Sequence, residues 1–378
     1  MRVVVDLTPL KDHLTGVERY AMCIARSMIR QFPEDDYLLI FKDEIHSAFS
    51  EELKNSHVKA LVLPGCGKLK FIQWRLFRAV RRIDADAFLF LSFTGPVLFR
   101  RKGIVNAIHD LTCWDCPETI PRKMVAYYRI AYHAAVKCSS HLITVSEFSR
   151  MRIASKYRLD PAKIMVIYDG LAEQFSEISR EPSETVRERY HLPSPYLLSL
   201  STIEPRKNLQ LLLTVYSQML DEGEALPDLV LAGRSGWKTE GILSHVSSGI
   251  RNRIHFTGYI EDGDLPALYR DAELFLFPSK YEGFGLPVIE AMSQGTLVLS
   301  SDAASLPEVA GDAGILFRSG DAEDLKQKIR DALRMSGEEK NRRIRSGLNV
   351  SHRFSWDREA DRLHRLLEMD QMSRGGAS

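Results

Sequence analysis

The sequence predicts an α/β protein made of two successive doubly wound domains, and three observations carry that reading. At 378 residues the chain exceeds the size at which one hydrophobic core usually stops growing. Apolar residues make up 44% and charged residues 27%, enough for two cores under an ordinary polar surface. Short β-branched and aromatic runs alternate with helical periodicity over most of the length, the pattern of parallel strands covered by helices on both faces.

MRVVVDL opens the chain as a buried strand, and a helical pattern from Gly16 to about Arg30 follows it. YLLIF, AFLFLS, IVNAIHD, HLITVS and KIMVIYDG read as further strands separated by helices or loops. A charged, Ser- and Pro-containing stretch, SEISREPSETVRERYHLPSP, breaks the pattern and places the domain connection between about residues 170 and 195. The alternation restarts with YLLSLS, DLVLAG, IHFTGY, ELFLFPS and TLVLSS, with helices such as LQLLLTVYSQML between them. Residues 1–175 are therefore assigned to the first domain and 190–350 to the second. Residues 351–378, with helical periodicity in WDREADRLHRLL, are expected to pack back on the first.

No segment approaches the roughly 20 uninterrupted apolar residues that span a bilayer, and the amino terminus lacks a signal-peptide pattern. Five scattered cysteines fit a reducing compartment better than a disulfide framework, so a cytoplasmic location is expected. Cys113 and Cys116 form a CxxC, but no second pair or histidines at ligand spacing accompany it, and it reads as two partly buried thiols. The net charge of +1 conceals an asymmetry. Residues 65–160 hold 17 Lys/Arg against 7 Asp/Glu, a balance of +10, and the remainder sums to −9. A basic middle suits a partner that carries phosphate, either nucleic acid or an anionic membrane.

Residues 278–317, PSKYEGFGLPVIEAMSQGTLVLSSDAASLPEVAGDAGILF, resemble the signature region of retaining glycosyltransferases of family 4, which have the GT-B fold of two Rossmann-like domains around a cleft. AIHD at 107–110, VSEFSR at 145–150, STIEPRKN at 201–208 and LAGRSGW at 231–237 resemble the other blocks of that family in order, so the resemblance covers both domains. Its chemistry can also be read from the residues. Glu282 and Glu290 are eight positions apart, with Gly283, Gly285 and Pro287 between them, so a tight loop should run straight into a helix. The amides of Phe284, Gly285 and Leu286 at such a helix start can hold a diphosphate. A carboxylate at Glu290 suits a ribose diol and Glu282 is placed to face a sugar; the resemblance makes them the ribose and donor-sugar contacts. The bland alternative is a helix-dipole partner and a solvated loop residue.

A departing nucleotide diphosphate needs cations. The resemblance gives the phosphates to Arg206 and Lys207; where many members carry Gly-Arg earlier in the block, this chain has Ser201-Thr202, which makes Lys207 the safer assignment. Gly233 and Arg234 lie in the LAGRSG block and are counted with the donor contacts. Gly16 sits before the first helix, where backbone can approach the donor phosphates. His109 follows a strand, and the resemblance makes it a contact to the donor hexose; a buried, hydrogen-bonded histidine is the alternative. Ser146 and Glu147 are placed on the acceptor side. No DxD ends a strand, and DAD at 84–86 precedes one, so no metal and no cofactor are expected.

Residues 68–83, KLKFIQWRLFRAVRRI, carry six basic residues and no acidic one. At 100° per residue one face is apolar, and Phe71 and Trp74 fall among the charges with Arg75 and Arg78. Aromatic and basic side chains together suit an anionic membrane surface, here the inner face of the cytoplasmic membrane; a solvated basic face is the alternative. The function expected from all this is transfer of a hexose, with mannose from GDP-mannose the first choice, to a glycan or lipid-linked acceptor in surface polysaccharide synthesis. A UDP-sugar-dependent glucosyl- or N-acetylglucosaminyl-type transferase, an epimerase or phosphorolytic enzyme of the same fold, and a non-catalytic binding module are the alternatives. No nucleic-acid motif is present.

Overall fold

The structure is a computed structural model that describes the chain except residues 12–13, 68–69, 180–182, 235–247 and 376–378. Two compact units emerge: Met1–Gly170 with Ser355–Ser378, and Leu171–Phe354.

The first unit is built on seven parallel strands: β1 (Arg2–Asp6), β2 (Asp36–Lys42), β3 (Val58–Leu63), β4 (Ala87–Phe90), β5 (Ile104–Ala107), β6 (His141–Thr144) and β7 (Ile164–Val166), in the order β3-β2-β1-β4-β5-β6-β7. Strand order reverses at β1, which pairs with β2 on one side and β4 on the other, with Val4 opposite both Leu38 and Phe88. Central strands are buried on both faces, as Val3, Val4, Val5, Phe88 and Leu89 show, and this is why they read as continuous apolar runs. Helix α1 (Gly16–Gln31) follows β1, and α2 (Arg122–Cys138) and α3 (Glu147–Tyr157) flank β6 in the chain.

The second unit has six parallel strands: β8 (Tyr196–Leu200), β9 (Asp228–Ala232), β10 (Ile254–Gly258), β11 (Leu274–Phe277), β12 (Val298–Ser301) and β13 (Ile315–Phe317), in the order β10-β9-β8-β11-β12-β13. Its core joins Leu212, Leu213 and Tyr216 of α4 (Leu209–Asp221) to Leu229, Leu276 and Leu299 of the strands. Helix α5 (Leu286–Ser293) follows β11.

The last helix, α6 (Trp356–Gly375), belongs to the first unit and lies on α1. Asp357 accepts from Ser27 Oγ at 2.7 Å and Arg30 Nη2 at 3.0 Å, and its carbonyl from Gln31 at 2.9 Å. Deeper in, His364 stacks on Phe32 at 3.5 Å and bonds Asp35 at 2.8 Å.

The basic segment departs from its expected geometry. Phe71–Leu76 forms a π-helical turn that passes into α-helix at Phe77–Val80. The wider i→i+5 turn shifts the phase of the helix, so Phe71 rotates out of the charged face and into the core with Val4, Leu76 and Phe88, 3% exposed. Phe71 is therefore not an interfacial residue. Arg75 donates to the Pro64 carbonyl at 2.6 Å, fastening the end of β3. Trp74 stays 57% exposed, with the Arg78 guanidinium 4.9 Å from its ring centre. Lys68 and Leu69, counted with this helix, lie outside the described residues.

Candidate active site

The carboxyl ends of β8 and β11 bring the EPRKN and EGFGLP segments together. After β8, Pro205–Lys207 makes one short turn, and Asn208, in the left-handed region at φ 55°, redirects the chain into α4; Asn tolerates that conformation better than most residues. The amide of Lys280 donates to the Arg206 carbonyl at 2.9 Å, which ties the two segments by their backbones. Lys207 Nζ donates to Glu282 Oε1 and Arg206 Nη1 to Glu282 Oε2, each at 2.7 Å. Arg206 also donates to the Tyr281 carbonyl at 2.7 Å and, through Nη2 and Nε, to Glu204 Oε1 at 2.8 and 3.1 Å.

Glu282, placed by the sequence to face a sugar with a solvated loop carboxylate as the alternative, is 6% exposed with both oxygens bonded to cations. The physical reason is the cost of a buried, uncompensated charge. Burial alone would raise its pKa, but Arg206 and then Lys207 outweigh burial and hold it at about 2. Burial and the neighbouring Arg206 lower the pKa of Lys207, against which Glu282 acts. The charges of Arg206, Lys207, Glu282 and Glu204 cancel, so two adjacent basic residues do not here amount to a surplus of positive charge.

Gly285 has φ +112°, a conformation that side-chain-bearing residues rarely adopt, so the backbone requires glycine; a Cβ there would come 2.7 Å from Leu306 Cδ2, the movable end of a side chain. Leu286 and Pro287 then open α5. The Ser305 hydroxyl lies 2.7 Å from the Phe284 carbonyl and 3.0 Å from that of Glu282, pinning the loop that presents the helix start. Phe284 packs edge-on against Phe354 at 5.2 Å. Glu290 falls in the second turn of α5, one residue beyond the opening turn, and is buried; the Tyr269 hydroxyl donates to its Oε2 at 3.0 Å.

Gly233, at the end of β9, has φ +126°, and a Cβ would sit 2.0 Å from the Ser201 carbonyl oxygen. Arg234 beside it lays its guanidinium 4.2 Å from the centre of the Tyr259 ring. Ser235 to Trp237 of the same block lie outside the described residues.

In the first unit, Gly16 begins α1, with the Thr15 amide donating to Glu18 Oε2 at 2.8 Å; a Cβ on Gly16 would meet nothing within 4 Å, so packing does not demand glycine. His109 follows β5 and is half-buried. Its Nε2 lies 2.7 Å from the Leu91 carbonyl, and burial lowers its pKa. A carbonyl only accepts, so Nε2 carries the proton and Nδ1 is the acceptor of a neutral ring. The Tyr20 ring meets His109 edge-on at 4.9 Å. Ser146 departs from its acceptor-side assignment: it is wholly buried and its hydroxyl caps α3, accepting from the Ser149 amide at 3.1 Å. Glu147 begins that helix and pairs with Arg150 at 2.5 Å.

Sequence reasoning missed Glu204, Tyr269 and Ser305. Glu204 stood inside the quoted STIEPRKN and could have been found from it. Tyr269 and Ser305 reach the site from 21 residues or more away along the chain, with no local signal. None of the five cysteines is in a disulfide, and burial lifts the Cys113 thiol to about 12. Among the described residues no group of three or more His, Cys, Asp or Glu is arranged to hold a metal ion, and no helix is long and apolar enough to cross a membrane.

Residues 183–349 match the family Glycosyl transferases group 1. The chain is 31% identical over 371 residues to the O-antigen chain mannosyltransferase B of Escherichia coli, covering 94% of this chain and 97% of that one. It is 22% identical over 344 residues to the O-antigen chain mannosyltransferase RfbU of Salmonella typhimurium, covering 87% and 90%. Among solved structures, Anabaena HepE in complex with UDP and glucose matches with TM-score 0.73 at 19% identity over 98% of this chain and 100% of that one. Sucrose-phosphate synthase from Thermosynechococcus elongatus matches with TM-score 0.75 at 17% identity over the whole of both chains. At such identities the structural likeness establishes the fold, GT-B. With a relative at 31% identity along nearly its entire length, the chain belongs to the group 1 glycosyltransferase family and is a hexosyltransferase.

Proposed function

We propose that the enzyme transfers mannose from GDP-mannose, with retention of anomeric configuration, to a glycan or lipid-linked acceptor in surface polysaccharide synthesis. The observation that carries the donor site is the Arg206–Glu282–Lys207 cluster held beside the start of α5. Mannose is favoured because the relatives in Escherichia coli and Salmonella typhimurium are both O-antigen mannosyltransferases.

The diphosphate would lie at the helix start, where unpaired amides and the helix dipole favour anions. Lys207 carries three N–H donors, and among the described contacts one goes to Glu282, so others serve a phosphate oxygen. Arg206, bound on several sides, fixes Glu282 and the loop. Glu290, oriented by Tyr269, would take the ribose hydroxyls. Lys207 and the amides near Gly285 would stabilise the leaving charge without a divalent ion. Phosphate oxygen of the donor would accept the acceptor's proton in a front-face transfer. His109, a neutral acceptor at Nδ1, is suited to a sugar hydroxyl.

Thermal shift against a panel of nucleotide sugars tests the donor. GDP-mannose should stabilise the protein, by about 2.7 kcal/mol at one hundred times its dissociation constant, and UDP-glucose should not; the reverse order would move the assignment to a UDP-hexose.

Peripheral attachment to the cytoplasmic membrane, with the enzyme in the cytoplasm, is supported by the exposed Trp74, stacked with Arg78, and by Leu98, 73% exposed, next to Val97, which donates to Gln73 at 2.9 Å. Sedimentation with anionic vesicles should fall with salt and with Trp74→Ala; equal binding to neutral vesicles, or none at low salt, would remove it.

A further inference from the structure

His109 follows β5 by two residues and is held there at two points. One is the hydrogen bond of its Nε2 to the Leu91 carbonyl at 2.7 Å; among the described contacts none reaches Nδ1. A single hydrogen bond fixes one end of an imidazole and leaves the plane of the ring unset. The second point supplies the plane: the Tyr20 ring, wholly buried in α1, meets the imidazole edge-on at 4.9 Å and 83°.

Tyr20 is itself braced on two sides. Its hydroxyl donates to the carbonyl of Ile167, the residue after β7, at 3.1 Å. Trp356, the first residue of α6, lies against its ring at 5.8 Å and 73°. That tryptophan has little room to move: it is buried, and a Cβ on Gly170 would press on its backbone nitrogen and come 2.8 Å from its Cγ. Further along α6, the buried Glu359 accepts from the Tyr168 amide at 3.1 Å and from Arg362 at 2.8 Å. The segment after β7 therefore fixes the start of the last helix, and the rings of Trp356, Tyr20 and His109 make one continuous file.

We propose that Tyr20 is a positioning residue for the transfer, holding the plane of the His109 ring so that Nδ1 stays aligned on the hydroxyl it accepts from, with Trp356 bracing it from the last helix. The inference rests on the transferase reading above for the task of His109. Edge-to-face contact is attractive because ring face and ring edge carry opposite partial charge, so it favours one orientation of the imidazole, which an aliphatic side chain of similar bulk does not. Orientation matters because a displacement of about 1 Å can cost a reaction roughly a hundredfold. Tyr20 takes no part in proton transfer itself. Its hydroxyl is bonded to a backbone carbonyl, and burial, followed by the charges of Asp169 and Glu359, raises the phenol well above its ordinary range.

The test compares kcat for transfer from GDP-mannose to a mannobioside in Tyr20→Leu, Tyr20→Phe, His109→Ala and the Tyr20→Leu/His109→Ala double variant, with nitrogen NMR of the histidine side chains alongside. Tyr20→Leu should lower kcat by roughly ten- to a hundredfold, while Tyr20→Phe, which keeps the ring, stays within about threefold of wild type. The double variant should be no slower than His109→Ala alone, because a residue that acts through His109 then has nothing left to act on. The wild type should show His109 fixed in its Nε2–H form, and Tyr20→Leu an imidazole exchanging between its two tautomers. Tyr20→Met, flexible and of similar bulk, replaces the leucine variant should that one unfold. A folded Tyr20→Leu or Tyr20→Met with wild-type kcat, the same loss repeated in the double variant, or unaltered His109 signals would each overturn the inference. Undiminished transfer by His109→Ala would remove the histidine from the transferase reading and the inference with it. If the wild type turned over no GDP-mannose, the donor assignment would fall and the His109 signals alone would decide whether Tyr20 holds the ring.

Discussion

The carboxyl edge of the second sheet presents charged groups already paired with one another, whereas that of the first presents aromatic rings, a neutral histidine and two carboxylates. In the second unit, Arg206 and Lys207 close on Glu282; in the first, the Phe93 and Tyr127 rings lie against Tyr128. The contrast follows from what each edge is proposed to hold. A diphosphate is bound by charges whose orientation is fixed beforehand, and burying them requires counter-charges. A sugar has no charge, and a neutral hydrogen-bonding partner such as His109 serves it better.

The largest expected effect breaks the charged edge. Lys207→Ala leaves Glu282 with one cation instead of two, and removal of one partner from a buried pair costs about 3–5 kcal/mol. Transfer should fall by at least roughly a hundredfold, read as initial rate, with circular dichroism confirming the fold. A folded variant with near-normal rate would break the assignment of Lys207. Gly233→Ala should come next, because its Cβ would press on the Ser201 carbonyl at φ +126°. A loss of about 3 kcal/mol or more is expected in urea unfolding.

The pH dependence sharpens the comparison, since the two edges respond with opposite sign. Glu282 is held at about 2 against its usual 4.5, so its contribution is complete above pH 4.5 and disappears as pH falls towards 2. Burial raises Asp6 from 3.8 to about 6, against the opposing hydrogen bonds of Thr8, so the first unit loses stability as pH rises from 3.8 through 6. Each effect is on the order of 3 kcal/mol at most. Scanning calorimetry across pH 2–7 should show Glu282→Gln flattening the acid limb and Asp6→Asn removing the decline between 3.8 and 6. Unchanged profiles would show that these groups are not held as described.

Most of the fold was legible in the sequence because central strands buried on both faces leave apolar runs that nothing else explains. Strand β3 escaped since it lies at the sheet edge with Lys59, Ala60 and Val62 exposed, and β13 because Ile315–Phe317 is too short to register as a period. At the site, EGFGLPVIE announced the loop and helix through its glycines and proline. What the segment could not reveal was the pairing of Glu282 with Arg206, 76 residues away, or of Glu290 with Tyr269, 21 away. Phe71 was misplaced for a different reason: a fixed 100° step cannot foresee a π turn.

Two smaller effects refine the picture. Tyr269→Phe removes a hydrogen bond to a carboxylate, worth about 1.5–3 kcal/mol, so GDP-mannose affinity by calorimetry should weaken roughly ten- to a hundredfold while acceptor KM stays constant. Equal affinity would detach Glu290 from the ribose. Gly16→Ala should shift stability by no more than about 1 kcal/mol, since a Cβ there meets open space. Activity lost without stability would then mark the glycine as a point of backbone approach to the donor.

The most direct measurement follows the reaction itself by proton NMR, with GDP-mannose and a mannobioside incubated with the enzyme in excess chelator. The account predicts a new mannosidic linkage with the donor's anomeric configuration, formed at a rate unaffected by the chelator and lost in Lys207→Ala. An inverted linkage, complete loss of activity reversed by a divalent metal, or transfer from UDP-glucose but not GDP-mannose would contradict it.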